Sequence, residues 1–369
     1  MSRSTPLRDV HESLGATLTD FAGWLMPLRY GSESAEHNAV RQAAGLFDLS
    51  HMGEIFLTGP QAAQALDHAL VGHLSALANG RARYTMIVDE RGGVLDDLIV
   101  YRLGDEEFMV VANASNADKV ADELIDRAKA YDTRVEDRSD RYALIAVQGP
   151  RAEEILATLT DADLAGLKYY TGLPGTVDGR KALIARTGYT GEDGFELFVA
   201  AEDAVPLWHA LTAAGEPHGL KPAGLSSRDT LRLEAGMPLY GNELSAELTP
   251  FDAGLGRVVK FDKPGDFVGR SALEAVKNVP PRRRLVGLVA RGRRVPRHGY
   301  PVTKDGAVVG EVTSGAPSQT LGKPIAMAYV DTGVDAGVDA GVDEGLAVDI
   351  RGRQEPVDVV ELPFYRRNK

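Results

Sequence analysis

The chain has 369 residues, no cysteine and a formal net charge of -12 at pH 7, with 44% hydrophobic and 25% charged residues. This length predicts two or three domains, and the balance of apolar and charged residues is typical of globular proteins. The lack of cysteine excludes disulfides, thiolate nucleophiles, cysteine-ligated zinc and iron–sulfur clusters, and the acidic charge argues against a general nucleic-acid partner.

The N-terminal segment shows no targeting signal. Residues 1–15, MSRSTPLRDVHESLG, lack the apolar core of a signal peptide. No run in the chain approaches the roughly 18 apolar residues of a membrane helix. We therefore expect a cytoplasmic protein that has no membrane partner.

Residues 83–131 predict an antiparallel sheet followed by a helix. The segments RYTMIV (83–88), VLDDLIVYRL (94–103) and EEFMVVAN (106–113) are short and rich in β-branched and aromatic residues. In residues 117–131 the apolar side chains recur at helical spacing, at positions 120, 124, 125, 128 and 131. We expect a three-stranded meander and then one helix.

Residues 141–223 predict a compact unit of strands and helices. Three segments are typical of strands and two of helices. The strands are RYALIAVQG (141–149), KALIART (181–187) and DGFELFVA (193–200), and the helices are PRAEEILATL (150–159) and AEDAVPLWHALTAAG (201–215). A short closing strand would complete the order β-α-β-β-α-β of the ferredoxin-like split βαβ fold.

Beyond residue 283 the pattern is that of strands alone. The strand segments are RLVGLVA, YPVTKDGAVVGEVTSG, PIAMAYV, LAVDIRG and EPVDVVELPF. The KDG within the second of them predicts a hairpin turn. We expect a small β-barrel or sandwich, joined to the preceding part by a connector at residues 261–284.

Residues 330–345, VDTGVDAGVDAGVDEG, form four tandem V-D-x-G units. Regular Asp–Gly spacing occurs in calcium-binding β-helices, but their repeat is a nonapeptide of another pattern. The favoured interpretation is a solvated loop between two strands, where added length costs little closure entropy. Calcium binding is the alternative.

The common catalytic motifs are absent from the sequence. There is no HExxH, and the eight histidines are scattered, so a histidine-built metal site is not expected. GYTGEDG (188–194) lies between two predicted strands and does not open a helix, unlike a dinucleotide-binding loop. SGAPSQTLGKP (314–324) has proline where a phosphate loop needs Ser or Thr, and no G-x-S-x-G elbow occurs.

Two adjacent acids, Asp96 and Asp97, lie inside an apolar strand pattern. Side chains alternate between the faces of a strand, so Asp97 shares a face with Tyr101 and Asp96 points the other way. An unpaired buried carboxylate is very unfavourable, so each acid needs a partner. We expect Asp96 to have a structural role, bonded to backbone N–H groups or to an arginine. The alternative for one of them is that it accepts backbone N–H bonds at the start of the strand.

Other charged residues also occur in apolar surroundings. Arg228 and Arg232 are four apart in LSSRDTLRLEAG (225–236), on one face of a predicted helix. Ser226 or Ser227 is a candidate N-cap. The alternative for the arginines is a solvated face paired to Asp229 or Glu234. Glu196, within the strand DGFELFV, is ambiguous in the same way as Asp97.

Seven segments together resemble aminomethyltransferases, the T-proteins of the glycine cleavage system. They occur in the family's order and span nearly the whole chain. They are DFAGWLMPLRY (20–30), GLFDLSHMGEI (45–55), GGVLDDLIVY (92–101), ALIAVQGP (143–150), RTGYTGEDGFEL (186–197), GLSSRDTLRLEAGMPLYGNEL (224–244) and GEVTSGAPSQTLGKPIAMAYV (310–330). The residues SSRD and the V-D-x-G repeat depart from the family pattern.

The resemblance implies an α+β fold, a three-domain cloverleaf with ferredoxin-like split βαβ units and a C-terminal small β-barrel. The expected domains are a discontinuous ferredoxin-like folate domain (1–50 plus 141–260), an inserted α+β domain that carries Asp97 (51–140), and the barrel (283–369). Tetrahydrofolate would occupy the central opening.

The resemblance also implies site residues. Asp97 matches the family's essential aspartate, near the folate nitrogens that receive the carbon. Glu196 matches the residue that hydrogen-bonds the pterin ring, and Arg228 a folate-contacting arginine. The remaining pocket positions are Met52, Tyr84, Tyr101, Asn113, Tyr189 and Tyr240, and either Arg366 or Arg367 would meet the folate tail.

The implied reaction moves a one-carbon unit from the aminomethylated lipoyl arm of H-protein to tetrahydrofolate, the co-substrate. Ammonia and 5,10-methylenetetrahydrofolate are released, and no metal is needed. Two alternatives remain, a paralogous folate-dependent demethylase and a non-catalytic folate-binding assembly factor. Such relatives would be expected to lose parts of LDD, GEDGFE and SRDTLRLEAG, all of which are present.

Overall fold

The computed structural model describes residues 2–334 and 345–367, and the chain divides into two compact units. The first unit takes the described chain up to Ile87, Leu95–Arg228 and Asp262–Val268. The second takes Val88–Val94, Asp229–Phe261 and the chain from Gly269 onward. The domain boundaries expected from the resemblance stay a prediction.

The helices of the described residues have up to 12 residues, and they end at residue 276. They are α1 (Arg8–Ser13), α2 (Glu33–Gln42), α3 (Ala62–Ala69), α4 (Ala117–Arg127), α5 (Ala152–Leu156), α6 (Ala204–Gly215), α7 (Leu225–Glu234) and α8 (Arg270–Val276). Within the described ranges, no helix has both the length and the apolar character needed to span a bilayer. The cytoplasmic location stays a prediction.

Fourteen strands precede residue 223, and they form three sheets. They are β1 (Arg3–Ser4), β2 (Thr17–Phe21), β3 (Trp24–Arg29), β4 (Ala44–Asp48), β5 (Gly53–Thr58), β6 (Ala82–Val88), β7 (Val94–Arg102), β8 (Glu107–Ala112), β9 (Arg134–Asp137), β10 (Tyr142–Gln148), β11 (Gly172–Val177), β12 (Arg180–Ala185), β13 (Gly194–Ala200) and β14 (Leu220–Pro222). The smallest sheet has the order β1-β3-β2.

The five-stranded sheet has the order β6-β7-β8-β5-β9. The predicted meander is confirmed, since its three segments are the consecutive neighbours β6, β7 and β8. The order of β5, α3, β7, β8, α4 and β9 along the chain, with β5 between β8 and β9, is that of a split βαβ unit. The helix predicted over 117–131 ends earlier, at Arg127, while its buried stripe includes Val120 and Leu124.

The six-stranded sheet has the order β11-β12-β13-β10-β4-β14. The predicted β-α-β-β-α-β arrangement is confirmed for β10, α5, β12, β13, α6 and β14, with two additions. Strand β11, whose GLPGTV sequence contains glycine and proline, extends one edge. Strand β4 is inserted between β10 and β14, antiparallel to the first and parallel to the second. Trp208 and Leu211 of α6 are buried in the core that covers this sheet.

The C-terminal part is a closed six-stranded barrel, as expected. Its strands are β15 (Arg283–Ala290), β16 (Pro301–Lys304), β17 (Ala307–Ser318), β18 (Lys323–Asp331), β19 (Leu346–Asp349) and β20 (Gln354–Val360), in the order β15-β18-β17-β16-β19-β20. The predicted KDG turn joins β16 to β17. Asp305 and Gly306 both have positive φ, at 50° and 83°, as tight hairpins require. The expected connector contains α8, which the sequence pattern had not indicated.

The V-D-x-G repeat lies mostly outside the described residues. We expect that replacing residues 334–341 with a short Gly-Ser link leaves catalytic activity and melting temperature nearly unchanged, because loop length enters closure entropy only logarithmically. Thermal melting with and without calcium checks this. A calcium-dependent stabilisation that disappears in the replaced chain would support the metal interpretation instead.

Candidate functional site

Strand β7 presents its two acids to different surroundings, as the alternation along the strand predicts. Asp96 is fully buried, on the same face as Val94 and Leu98. Asp97 is only partly buried, and it shares its face with Tyr101. A neighbouring pair of acids in one strand therefore has one solvent-accessible member and one enclosed member.

The Asp97 carboxylate is fixed by two neighbours. Tyr84 Oη donates to Asp97 Oδ2 at 3.0 Å, and Asn113 Nδ2 donates to Asp97 Oδ1 at 2.8 Å. Burial, together with the charge of Asp97, raises the pKa of Tyr84 well above its ordinary value. Tyr84 therefore stays protonated and can serve as a hydrogen-bond donor to the carboxylate.

Asp96 accepts three hydrogen bonds from the segment between β8 and α4. The donors are the backbone N–H of Asn113 (3.0 Å), its Nδ2 (2.8 Å) and Asn116 Nδ2 (2.8 Å). The expected backbone partner is confirmed, while side-chain amides take the place of the arginine offered as an alternative. Burial and the charge of Asp97 raise the pKa of Asp96 to about 7, although these donors oppose the shift.

Glu196 on β13 is buried within a polar cluster. Thr187 Oγ1 donates to its Oε2, and the Tyr101 hydroxyl lies 2.9 Å from the same Thr187 oxygen. Burial raises the pKa of Glu196, while the hydrogen bonds from Thr187 and Tyr101 and the charge of Arg228 oppose that rise. The Glu196 carboxylate has more lone pairs than the one that accepts from Thr187, so it can also accept hydrogen bonds from a ligand.

Arg228 on α7 is the cation of this cluster. Its guanidinium carbon lies 4.9 Å from the ring centroid of Tyr189, a cation–π geometry. Burial lowers the pKa of Arg228, and the charge of Glu196 opposes this. The helix begins at Leu225, so Ser226 and Ser227 lie inside it and the expected N-cap role is wrong.

Arg232 has a structural environment and is buried. It bonds Asp229 (2.7 Å), Glu243 (3.0 Å) and Ser314 (2.8 Å). The Asp229 partner offered in the alternative is therefore present, but the solvated face is not. Buried charges need such pairing.

Two tyrosines connect the Asp97 and Glu196 clusters. Tyr101 shares a face of β7 with Asp97, and its hydroxyl lies 2.9 Å from Thr187 Oγ1 of the Glu196 cluster. Tyr170 interacts with both Glu196 and Asp97, and burial followed by nearby tyrosine and carboxylate groups raises its pKa. The first unit therefore holds the two clusters as one polar site.

Four predicted residues are not joined to this site by the contacts described above. Met52 follows β4 in a turn, where its N–H donates to Leu49 O at 3.0 Å. The other three, Tyr240, Arg366 and Arg367, belong to the second unit. Their assignment to the pocket stays a prediction.

Several site residues were missed from the sequence. Asn116, Thr187 and Tyr170 hold or neighbour the predicted acids, and His51 is buried with an unpartnered Nδ1. Burial, and then the charge of Arg228, lowers the pKa of His51 to about 4, against the opposing charge of Asp48. Thr187 lies within the motif RTGYTGEDGFEL, so the sequence offered a signal for it. Tyr170 lies outside the quoted segments, and its positive φ of 58° cannot be recognised from its residue type.

The chain matches two family models that follow one another along the sequence. The GCVT N-terminal domain covers residues 7–263, and the glycine cleavage T-protein C-terminal barrel domain covers residues 283–366. Curated relatives with the name aminomethyltransferase include proteins of Streptomyces coelicolor (69% identical, 100% of this chain and 98% of the relative) and Bacillus subtilis (44% identical, 100% of both). The crystal structure of glycine cleavage system aminomethyltransferase T from Bartonella henselae superposes with a TM-score of 0.92 at 36% identity, covering both chains fully.

Proposed function

The chain belongs to the aminomethyltransferases, the T-proteins of the glycine cleavage system, and we propose its substrates and the roles of its residues as follows. It transfers the one-carbon unit of an aminomethyl group on the lipoyl arm of H-protein to tetrahydrofolate. The products are ammonia, 5,10-methylenetetrahydrofolate and the reduced lipoyl arm.

The observation that supports this reaction most strongly is the fixed, partly open Asp97 carboxylate beside the cluster of buried Glu196 and half-buried Arg228. One folate nitrogen bonds to the methylene that bears sulfur and an amine, and the C–S bond breaks so that the lipoyl sulfur leaves as a thiolate. Ammonia then leaves the same carbon, so a positive folate iminium develops, and the second folate nitrogen closes on it to form the methylene bridge. A carboxylate held by Tyr84 and Asn113 can stabilise that charge without reorganisation. It can also accept or return the proton of the attacking nitrogen.

The Glu196–Arg228 cluster has the chemistry needed for the pterin ring. A carboxylate accepts hydrogen bonds from the ring's N–H and amino groups, and Tyr101 with Thr187 fixes its orientation. Arg228 balances the Glu196 charge and presents its cation at the stacked Tyr189 face. Binding and orientation are therefore assigned to this cluster, and transfer chemistry to Asp97.

The folate tail is assigned to Arg366 or Arg367. Both side chains are exposed. The backbone N–H of Tyr365 donates to the Glu234 carbonyl oxygen at 2.8 Å, which anchors the segment just before the two arginines. A fixed backbone with exposed guanidinium groups suits an anionic carboxylate tail.

The demethylase and the assembly factor are distinguished by the donor. Purified protein is incubated with tetrahydrofolate and either aminomethylated, lipoylated H-protein or N-methylated amino acids. The proposal expects ammonia only with H-protein. Transfer of the methyl group to tetrahydrofolate, with release of the demethylated amino acid, would favour a demethylase, because this transfer needs no oxidant. No product with any donor would favour the non-catalytic role.

Arg228→Ala should weaken folate binding because it removes the cation that balances Glu196. A ligand at about 100 times its dissociation constant stabilises a fold by roughly 2.7 kcal/mol, so tetrahydrofolate should raise the wild-type melting temperature and raise that of the variant less. Exposed Arg151 supplies a control, since Arg151→Ala should keep the full shift. An unmoved wild-type transition at saturating tetrahydrofolate would contradict the pocket assignment.

A further inference from the structure

We propose that Asp96 is a positioning residue of the transfer reaction, acting on Asp97 through the side-chain amide of Asn113. The inference rests on the proposed function of Asp97. It goes beyond the structural role expected for Asp96 from strand alternation alone, because the shared amide joins the two faces of β7.

The contacts of Asn113 carry this inference. Its Nδ2 donates to Asp96 Oδ1 and to Asp97 Oδ1, both at 2.8 Å, and lies 3.1 Å from the Asp97 carbonyl oxygen. Its backbone N–H donates to Asp96 Oδ2 at 3.0 Å. Asp96 therefore holds Asn113 at two points, the main chain and the amide, and the amide then holds Asp97.

The surroundings of Asp96 supply a second anchor. Asn116, which donates to Asp96 Oδ1 at 2.8 Å, immediately precedes the 11-residue helix α4. The first turn of a helix favours a nearby negative charge. The carboxylate thus ties β7 to the start of α4, and it fixes the segment from which Asn113 projects.

The protonation state of Asp96 decides whether this arrangement holds. As a carboxylate it accepts all three hydrogen bonds, whereas as a carboxylic acid one oxygen becomes a donor and faces an N–H group. Burial, and then the charge of the adjacent Asp97, raises the pKa of Asp96 to about 7. The segment from Asn113 to Asn116 presents amide groups to Asp96. Among the described residues, Asp97 is the charged group that raises the pKa of Asp96.

The test compares turnover of Asp96→Asn, Asn116→Ala and Asn113→Ala, and of the double variant Asp96→Asn/Asn113→Ala, with H-protein and tetrahydrofolate as substrates. Asp96→Asn should lower kcat roughly ten- to hundredfold, as for a small misplacement of a catalytic group, with little change in KM for tetrahydrofolate. Asn116→Ala should lower it less, because two of the three hydrogen bonds remain. In the Asn113→Ala background the Asp96 change should have almost no further effect on kcat, since residues that act as a unit are non-additive.

The pH profile separates positioning from stability. Wild-type kcat should fall as pH drops through about 7, where Asp96 gains its proton, and this limb should be missing in Asp96→Asn. Thr303→Val is the control for destabilisation, because it removes the hydrogen bond of buried Thr303 to Gln354 (2.6 Å) in the barrel. This variant should keep kcat and its pH dependence.

Three outcomes would overturn the inference while leaving the proposed function intact. They are wild-type kcat in a folded Asp96→Asn chain, an unchanged pH limb in that chain, and additive losses in the double variant. A wild-type enzyme that releases no ammonia from H-protein would instead refute the proposed function, so the two failures are distinguishable.

Discussion

Asp97→Asn is expected to reduce turnover by a factor on the order of 10² or more while leaving the fold intact. Asparagine has the size of aspartate, but it keeps only part of the contacts that Oδ1 makes with Asn113 and Oδ2 makes with Tyr84. It also removes the negative charge that would stabilise the iminium. Because Glu196 and Arg228 are untouched, much of the tetrahydrofolate affinity should remain. Ammonia release, thermal melting and folate binding are measured on the same preparation.

Asp137→Asn is the matched control, because Asp137 is an exposed acid on β9 of the same sheet. It should keep wild-type turnover. Normal turnover by a folded Asp97→Asn chain would refute the catalytic assignment. If Asp97→Asn does not fold, Tyr84→Phe tests the same assignment, because it removes one hydrogen bond to Asp97. Tyr84→Phe should lower kcat by a smaller factor.

Asp48→Asn should be the most destabilising of the substitutions considered, at about 3–5 kcal/mol, because it removes the charge of a buried carboxylate and leaves its hydrogen-bond donors in place. Asp48 ends β4 and accepts from Thr5 Oγ1 (2.6 Å), His11 Nε2 (2.9 Å) and the Ser50 N–H (2.9 Å). Asn would turn one acceptor oxygen into a donor that faces these donors. Chemical denaturation measures the free energy of unfolding.

The pH dependence of stability supplies an independent check on Asp48. Burial alone would raise the pKa of this carboxyl, but the hydrogen bonds from His11, Thr5 and Ser50 and the charge of His11 together hold it below its ordinary value. The stability that Asp48 contributes is therefore present above the unfolded pKa, near 4, and is lost as pH falls through the lower folded value. The wild-type advantage over Asp48→Asn should shrink in this acidic range.

Glu12→Gln is the control for Asp48, since the Arg8–Glu12 pair (3.0 Å) is about half exposed on both sides. Such surface pairs contribute about 0.5 kcal/mol or less. A loss from Asp48→Asn no larger than that of Glu12→Gln would show that the buried network does not support the fold.

Periodicity predicted the local elements well where one face of the element is buried. The pattern of β7 assigned Asp96 and Asp97 to opposite faces, and the hydrogen bonds bear this out. The Asp–Gly hairpin of the barrel followed from turn chemistry alone. Both features depend on a few adjacent residues, which sequence patterns describe directly.

Features that depend on distant segments were not accessible in this way. Strand β4 enters the six-stranded sheet from about 100 residues earlier in the chain, since Leu46 pairs with Val147, and no local pattern indicates that pairing. Strand β11 was missed because glycine and proline are unusual in strands. The sequence also did not identify where α7 begins, since the serines proposed as its N-cap lie inside the helix.

The candidate site shows the same division. The pattern of residues identified buried acids that needed partners, whereas the resemblance supplied their roles in folate chemistry. Asn113 was assigned to the pocket by resemblance, but its double contact with Asp96 and Asp97 appeared only in the structure. A single amide between two faces of a strand depends on a loop conformation that composition and spacing do not specify.

Transfer of a labelled carbon from H-protein to tetrahydrofolate can be followed directly by NMR. H-protein whose lipoyl arm bears a ¹³C-aminomethyl group is mixed with the enzyme and unlabelled tetrahydrofolate, and the folate product is observed by NMR. We expect the label in the methylene bridge of 5,10-methylenetetrahydrofolate with one ammonia released per carbon, and we expect this transfer to be at least about 10² slower in Asp97→Asn. Label that stays on H-protein while tetrahydrofolate is bound to the wild-type enzyme would refute the proposed transfer.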